Sequence, residues 1–197
     1  ETITIVGTND APISTDGLVG AGNEDSLIRI NLTATDVDGT IASFVIDQIP
    51  ANGTLYLTNS LDSKNEVIDG QSITATANNL TLYFKPDQNF FGETAIQYHA
   101  VDNSGGVGEV VSGSILIKAV DDAPVIGAGT FVGSVTEIAD LGTGENSTDL
   151  TVSNSFAITD VDLSDVQLVS AVAKGAGYLG TFTPSVGDQT TSDGAGS

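Results

Sequence analysis

Hydrophobic and polar residues alternate along most of this chain with a period of two. That is the pattern of a strand with one buried and one solvated face. Ile3 and Ile5 share a face, with Thr2 and Thr4 opposite. Ile28, Ile30 and Leu32 point one way, and Arg29, Asn31 and Thr33 the other. Leu55 and Leu57 follow the turn Ala51-Asn52-Gly53. Leu80, Leu82 and Phe84 alternate with Thr81 and Tyr83, and Ile96, Tyr98 and Ala100 with Gln97 and His99. Ile115 and Ile117 form the last clear strand of this run. No window of about 11 residues carries a helical stripe, so the pattern predicts an all-β chain.

Two polar breaks closed by proline punctuate the strands. They are Thr8-Asn9-Asp10-Ala11-Pro12 and Val120-Asp121-Asp122-Ala123-Pro124, and Asn9 and Asp121 lie 112 residues apart. A unit of that length with about seven short strands fits an immunoglobulin-like sandwich. The expected organisation is therefore β-sandwich domains in tandem. Residues 1–8 read as the last strand of a preceding repeat and 9–12 as a linker. Residues 13–120 read as a complete sandwich and 121–124 as a second linker. Residues 125–197 read as the N-terminal part of a further sandwich, with Val132, Val135, Val152, Phe156, Ile158, Leu168, Tyr178 and Phe182 as its apolar positions. That last piece is short for a closed sandwich. A truncation, an insert at the polar run from Gly187 to Ser197, or completion in trans by a spare strand such as residues 1–8 would each account for it. The chain itself is expected to be monomeric.

Charge narrows the function. Among 197 residues there are 26 acids and 5 basic residues, a formal charge of −21. That excludes nucleic acid and anionic membrane as partners. Nineteen of the acids are Asp, which favours turns over helical surfaces. Hydrophobic content of 40% supplies a packed core. There is no cysteine, so no disulfide stiffens the fold and thiol chemistry is excluded. A small module without disulfides needs another staple, and metal is one. No apolar run is long enough to cross a bilayer as a helix.

The acids gather in two echoing turns, Thr35-Asp36-Val37-Asp38-Gly39 and Thr159-Asp160-Val161-Asp162. Two carboxylates about 4 Å apart repel by about 4 kcal/mol at an effective dielectric of about 20. One such turn alone reads better as a solvated Asp turn. Repetition favours a hard cation, and oxygen ligands of this kind suit calcium. In a seven-stranded sandwich the Asp36/Asp38 turn, the Asp102 loop and linker residues Asn9 and Asp10 share one pole. Glu24 belongs at the other, with Asp121 and Asp122, which would face Asp160, Asp162 and Asp165. Glu137 stands as the counterpart of Glu24.

These motifs resemble a known family. Thr8-Asn9-Asp10-Ala11-Pro12, Asn23-Glu24-Asp25, the Asp36 turn, Pro50-Ala51-Asn52-Gly53-Thr54, Phe84-Lys85-Pro86-Asp87, Asn89-Phe90-Phe91-Gly92 and Asp102-Asn103-Ser104-Gly105-Gly106 resemble bacterial cadherin-like tandem repeats. Residues 133–183 resemble the opening of a VCBS repeat, and Gly7-Thr8-Asn9-Asp10 its ending. Such repeats occur in giant RTX adhesins of Gram-negative surfaces, where they extend a ligand-binding tip from an anchor and support biofilm formation. The resemblance implies a secreted, cell-surface location and neighbouring repeats as partners, with any surface ligand taken by distal domains. It also implies calcium held by Glu24, Asp121 and Asp160/Asp162, and by Asp10 with Asp36/Asp38. The sequence departs from the family at Asp121-Asp122, where Asn-Asp is commoner.

Other signals carry less. Gly175-Ala176-Gly177-Tyr178-Leu179-Gly180 matches a dinucleotide fingerprint, but strand-like Thr181-Phe182-Thr183-Pro184 follows it where a helix is required. His99, the single histidine, falls on an outer face without a nucleophile in its pattern. Paired carboxylates also serve glycosidases, yet no aromatic cleft accompanies these. Four Asn-x-Ser/Thr triplets, at Asn31, Asn52, Asn79 and Asn146, are expected by chance in a Thr-rich chain. The sequence therefore predicts a non-enzymatic, calcium-stiffened extender of a surface adhesin. The alternative is a calcium-dependent module for a glycan or another surface protein, with Tyr56, Tyr83 and Tyr178 as candidate contacts.

Overall fold

The structure is a computed structural model. It describes residues 3, 7–127, 129, 132–134, 136, 138–145, 150–162, 166–172, 183–187 and 195–196. The chain divides into two units, Glu1–Val120 and Asp121–Ser197. Ile3, from the expected leading strand, is exposed, and most of residues 1–6 lie outside the described ones.

The described residues of the first unit form nine strands: β1 Ile13–Ser14, β2 Gly17–Asn23, β3 Ile28–Thr35, β4 Ile41–Gln48, β5 Gly53–Tyr56, β6 Gln71–Thr74, β7 Asn79–Pro86, β8 Gly92–Asp102 and β9 Val111–Lys118. Alternation works as expected in β3, β7, β8 and β9. Ile28, Ile30 and Leu32 of β3 lie opposite Phe84, Leu82 and Leu80 of β7, and all six are buried. Ile96, Tyr98 and Ala100 of β8 and Ile115 and Ile117 of β9 supply the other half of the core. Fully burying each such aliphatic side chain contributes about 2 kcal/mol.

Strand order is β5-β7-β3-β2-β9-β8-β4-β6, with β1 pairing β3. Strand β2 joins the halves. It meets β3 antiparallel at Gly20↔Ile30 and runs parallel to β9 from Gly17↔Gly113 to Asn23↔Lys118. Its glycines make this possible by steric absence. A Cβ on Gly20 would stand 2.5 Å from Ile30 Cγ2, and one on Gly22 2.7 Å from Ile28 Cγ1. Their lack of apolar side chains also hides β2 from a periodicity reading. Strand β4 is masked differently. Its buried residues are Ile41, Phe44 and Ile46, because register shifts at Ile41/Ser43 and Ile46/Gln48 break strict alternation.

Strand β1 positions the acidic pole. Ile13 pairs with Thr35, immediately before Asp36, while Ser14 Oγ accepts from Ala100 N at 3.0 Å, two residues before Asp102. The Tyr98 hydroxyl donates to Thr15 O and pins the same corner. Burial first, then Asp16, pushes that phenol up to about 12. Linker residues Asn9 and Asp10 are thereby delivered between the two acidic turns.

The second unit contains short pairings: β10 Val125–Ile126 and β12 Ala195–Gly196 flank β11 Ile158–Thr159, all antiparallel. Ile158 and Asp160 are buried, whereas Val125, Ile126 and Leu168 are exposed.

Candidate functional site

The first acidic turn is built on its own backbone. Asp36 Oδ1 accepts from Asp38 N at 3.1 Å and Gly39 N at 3.2 Å. This is the local Asx turn that makes aspartate a turn residue. Asp38 then reaches across the chain, and both its carboxylate oxygens accept from Asp10 N, at 3.4 and 3.3 Å. The linker is clamped to the turn through a main-chain donor.

The neighbouring loop is organised by Asp102. Its Oδ1 accepts from Ser104 N at 2.7 Å and Gly106 N at 2.9 Å. Its Oδ2 accepts from the Asn9 side-chain amide at 2.7 Å. The Asn9 bond is the foremost cause holding this carboxyl below the usual carboxylate range. Burial opposes it, and the loop N–H groups of Gly106, Ser104 and Gly105 assist. Space for the arrangement is kept by glycine. A Cβ on Gly106 would stand 2.4 Å from Asp102 Oδ2 and 2.5 Å from Asn9 Nδ2.

One oxygen is left over. Asp36 Oδ2 is buried and has no hydrogen-bond partner. Beside it is a cradle that a side chain would fill: a Gly39 Cβ would lie 3.0 Å from Asp36 Oδ2 and 2.6 Å from Asn103 Oδ1. Asn103 Oδ1 also accepts from Thr40 N at 2.9 Å, which fixes its aim. A bare carboxylate oxygen with an amide oxygen and Asp38 nearby is a donor set that suits calcium, which takes carboxylate, amide and carbonyl oxygens. The set is open. Among the described residues, no three His, Cys, Asp or Glu side chains form a metal-holding group. Asn103, which sequence reasoning passed over, is the added oxygen donor. Its adjacency to Asp102 was the available signal.

Glu24 lies at the far end of the same sandwich. Asn23 pairs with Lys118 and Gly92 with Ile117, so Glu24 sits near the start of β8 and Asp102 at its end. Eleven residues at about 3.3 Å each separate those ends by roughly 33 Å. Glu24 is buried, its Oε1 accepts from Val120 N at 2.8 Å, and its Oε2 is buried without a partner.

The second unit repeats the wiring of the first turn. Asp160 Oδ1 accepts from Asp162 N at 3.0 Å, and Asp162 Oδ2 accepts from Asp122 N. Asp122 precedes Ala123-Pro124 as Asp10 precedes Ala11-Pro12. One oxygen differs. Asp160 Oδ2 accepts from the Gln167 amide at 2.8 Å, and both residues are buried. Asp121 is exposed, and Asp165 and Glu137 lie outside the described residues.

The remaining candidates separate clearly. His99 Nδ1 lies 2.8 Å from Asp47 Oδ2, a pairing across β4 and β8 that the sequence did not suggest. Tyr56 is buried, so its ring is not offered to a ligand, and Tyr178 and the 175–180 glycine pattern lie outside the described residues. No helix among the described residues is long and apolar enough to cross a membrane.

Comparison with characterised proteins found no match. Among solved structures, the chain is similar to a conjugate transposon protein from Bacteroides vulgatus at 12% identity, covering 59% of this chain and 92% of that one, with a TM-score of 0.37. A mutant of the SrpA adhesin from Streptococcus sanguinis matches at 12% identity over 57% of this chain and 58% of its own, with a TM-score of 0.38. Fibronectin(III)-like modules of Clostridium thermocellum CbhA match at 16% identity over 55% and 47%, with a TM-score of 0.29. The family model for a bacterial Ig domain matches residues 9–112, just over half of the chain, from the first linker to the start of β9. With its all-β strand order and this match over more than half of its length, the chain belongs to the bacterial Ig-like domain family.

Proposed function

We propose that this chain is an extender segment of a long bacterial surface adhesin of the cadherin-like and VCBS-type RTX class, and that its acidic turns take calcium. The observation that carries the reading is the duplicated clamp. In each unit an Asp-x-Asp turn organises itself and then captures the N–H of the linker Asp that precedes Ala-Pro. Membership of the bacterial Ig-like family supports a structural module, a class without catalytic machinery. The acidic charge of −21 supports a protein working among divalent cations.

The residues act as follows. Asp38 and Asp162 hold the linker backbone against the sandwich that follows it. Asp36 Oδ2 and Asn103 Oδ1 present oxygens that no N–H satisfies or that retain a second lone pair. Bound calcium supplies positive charge that offsets carboxylate repulsion in the turn. The linker direction is then fixed relative to its own domain, which is what a spacer requires. At free calcium about 100-fold above the dissociation constant, one site adds about 2.7 kcal/mol to the folded state.

Calorimetric titration of the chain with calcium tests this, together with thermal unfolding with and without chelator. Heat of binding and a raised Tm are expected. Absence of both a binding heat and a Tm change on chelation overturns the calcium assignment. Unchanged hydrodynamic radius on chelation, with binding intact, overturns the stiffening role alone.

A further inference from the structure

We propose that Asn52-Gly53 is a self-modification site, at which asparagine converts through a succinimide to aspartate and isoaspartate. It requires no calcium and no partner, so it stands apart from the extender reading.

The turn entering β5 gathers the features this chemistry needs. Asn52 is exposed, sits at φ +59°, and its side-chain amide makes no hydrogen bond to a described residue. Asparagine tolerates this left-handed conformation better than most residues. Its flanks are tied, because Ala51 O accepts from Thr94 Oγ1 at 3.0 Å and Asn52 O accepts from Asp87 N at 2.9 Å. With Asn52 bonded to Asp87, the next pair, Gly53↔Pro86, exchanges no hydrogen bonds, as alternation in an antiparallel ladder dictates. The Gly53 N–H is therefore not spent on β7.

Among the described residues, the other asparagines lack the combination. The side-chain amides or carbonyls of Asn9, Asn31, Asn78 and Asn103 are engaged. Asn59, Asn79 and Asn89 precede Ser60, Leu80 and Phe90, whose side chains crowd the following amide. Gly53 is also locked in place. A Cβ there would stand 2.4 Å from Lys85 O and 2.5 Å from Phe84 Cζ, so β7 itself demands the residue that makes Asn52 reactive.

The Gly53 amide nitrogen attacks Asn52 Cγ and loses its proton. The carboxamide nitrogen leaves as ammonia, and a five-membered imide forms. Water then opens the imide at either carbonyl. One product is aspartate. The other is isoaspartate, in which the main chain runs through the former side chain and gains a carbon. The extra carbon enters between Asn52 Cα and Gly53 N, and Asn52 O, which accepts from Asp87 N, leaves the main chain as a carboxylate, so β5 loses its anchored start. Either product adds a negative charge beside Asp87.

Incubating the folded protein in mildly alkaline buffer tests the assignment, with peptide mapping by mass spectrometry and methylation by an isoaspartyl methyltransferase. Expected is an amide-to-acid mass gain and methyl acceptance in the Asn52 peptide that grow with time, several-fold ahead of peptides containing Asn59, Asn79 or Asn89. Asn52→Gln should abolish the methyl acceptance. No gain at Asn52, equal gain at the other asparagines, or methyl acceptance that persists in Asn52→Gln would each overturn it.

Discussion

The turns at Asp36 and Asp160 share a sequence, a hydrogen-bond pattern and a linker clamp, yet they leave different chemistry exposed. In each, the first Asp accepts the second Asp's N–H and the second accepts a linker N–H. The spare oxygen of Asp160 is capped by Gln167, and that of Asp36 is buried without a partner. The lesson is that an Asp-x-Asp turn is first a backbone organiser. On the proposed calcium reading, cation affinity rests on the fourth oxygen, which the turn's own backbone does not use. Capped by an amide, that oxygen is satisfied. Left bare, it costs about 1–3 kcal/mol of unmet solvation that a cation can recover.

The sharpest break in the comparison is charge removal at matched positions. Asp36→Asn keeps the acceptor for Asp38 and Gly39 but removes the ligand charge. It should abolish most of the calcium-dependent stabilisation, up to about 2.7 kcal/mol at saturation. Asp160→Asn should remove a smaller part. Equal losses, read as Tm with and without chelator, would erase the distinction. Next in size, Gly39→Ala places a Cβ 2.6 Å from Asn103 Oδ1 and closes the cradle. The expected cost is about 2 kcal/mol, measured by urea unfolding, together with weakened calcium binding.

Gln167→Ala sharpens the comparison from the other side. It should destabilise the second unit by about 1 kcal/mol while raising its calcium response, because Asp160 Oδ2 becomes as bare as Asp36 Oδ2. The smallest effect is pH-dependent. Asp102 has a depressed folded-state pKa, led by Asn9, so its contribution to stability is present above the unfolded carboxylate pKa. That contribution is lost as pH falls through the folded value. Asn9→Ala should raise the Asp102 pKa and lower stability at neutral pH, and the difference from the unmodified chain should vanish as pH falls below the folded value. Carboxylate NMR titration checks the pKa directly.

Much of this was legible in residue order, because local rules wrote it. Alternation of Ile28, Ile30, Leu32, Leu80, Leu82 and Phe84 marks strands whose partners the core later supplies. The spacing Asp-x-Asp announces an Asx turn wherever it falls. The second Ala-Pro break, Ala123-Pro124, falls at the start of the second unit. Strands β2 and β4 were not legible, since glycine contacts with Ile28 and Ile30 and two register shifts exist only between strands. The His99–Asp47 pairing was hidden for the same reason.

By itself, then, the sequence determined an acidic, all-β chain with carboxylates concentrated in turns. Those properties depend on side-chain period, composition and neighbours within about four residues. Only the tertiary structure decided which oxygens are already spent. Asp102 and Asp160 are satisfied by Asn9 and Gln167, while Asp36 and Glu24 each keep one buried oxygen unpaired. A hydrogen bond between residues 93 apart in sequence is settled by strand pairing and burial, and no local pattern encodes it.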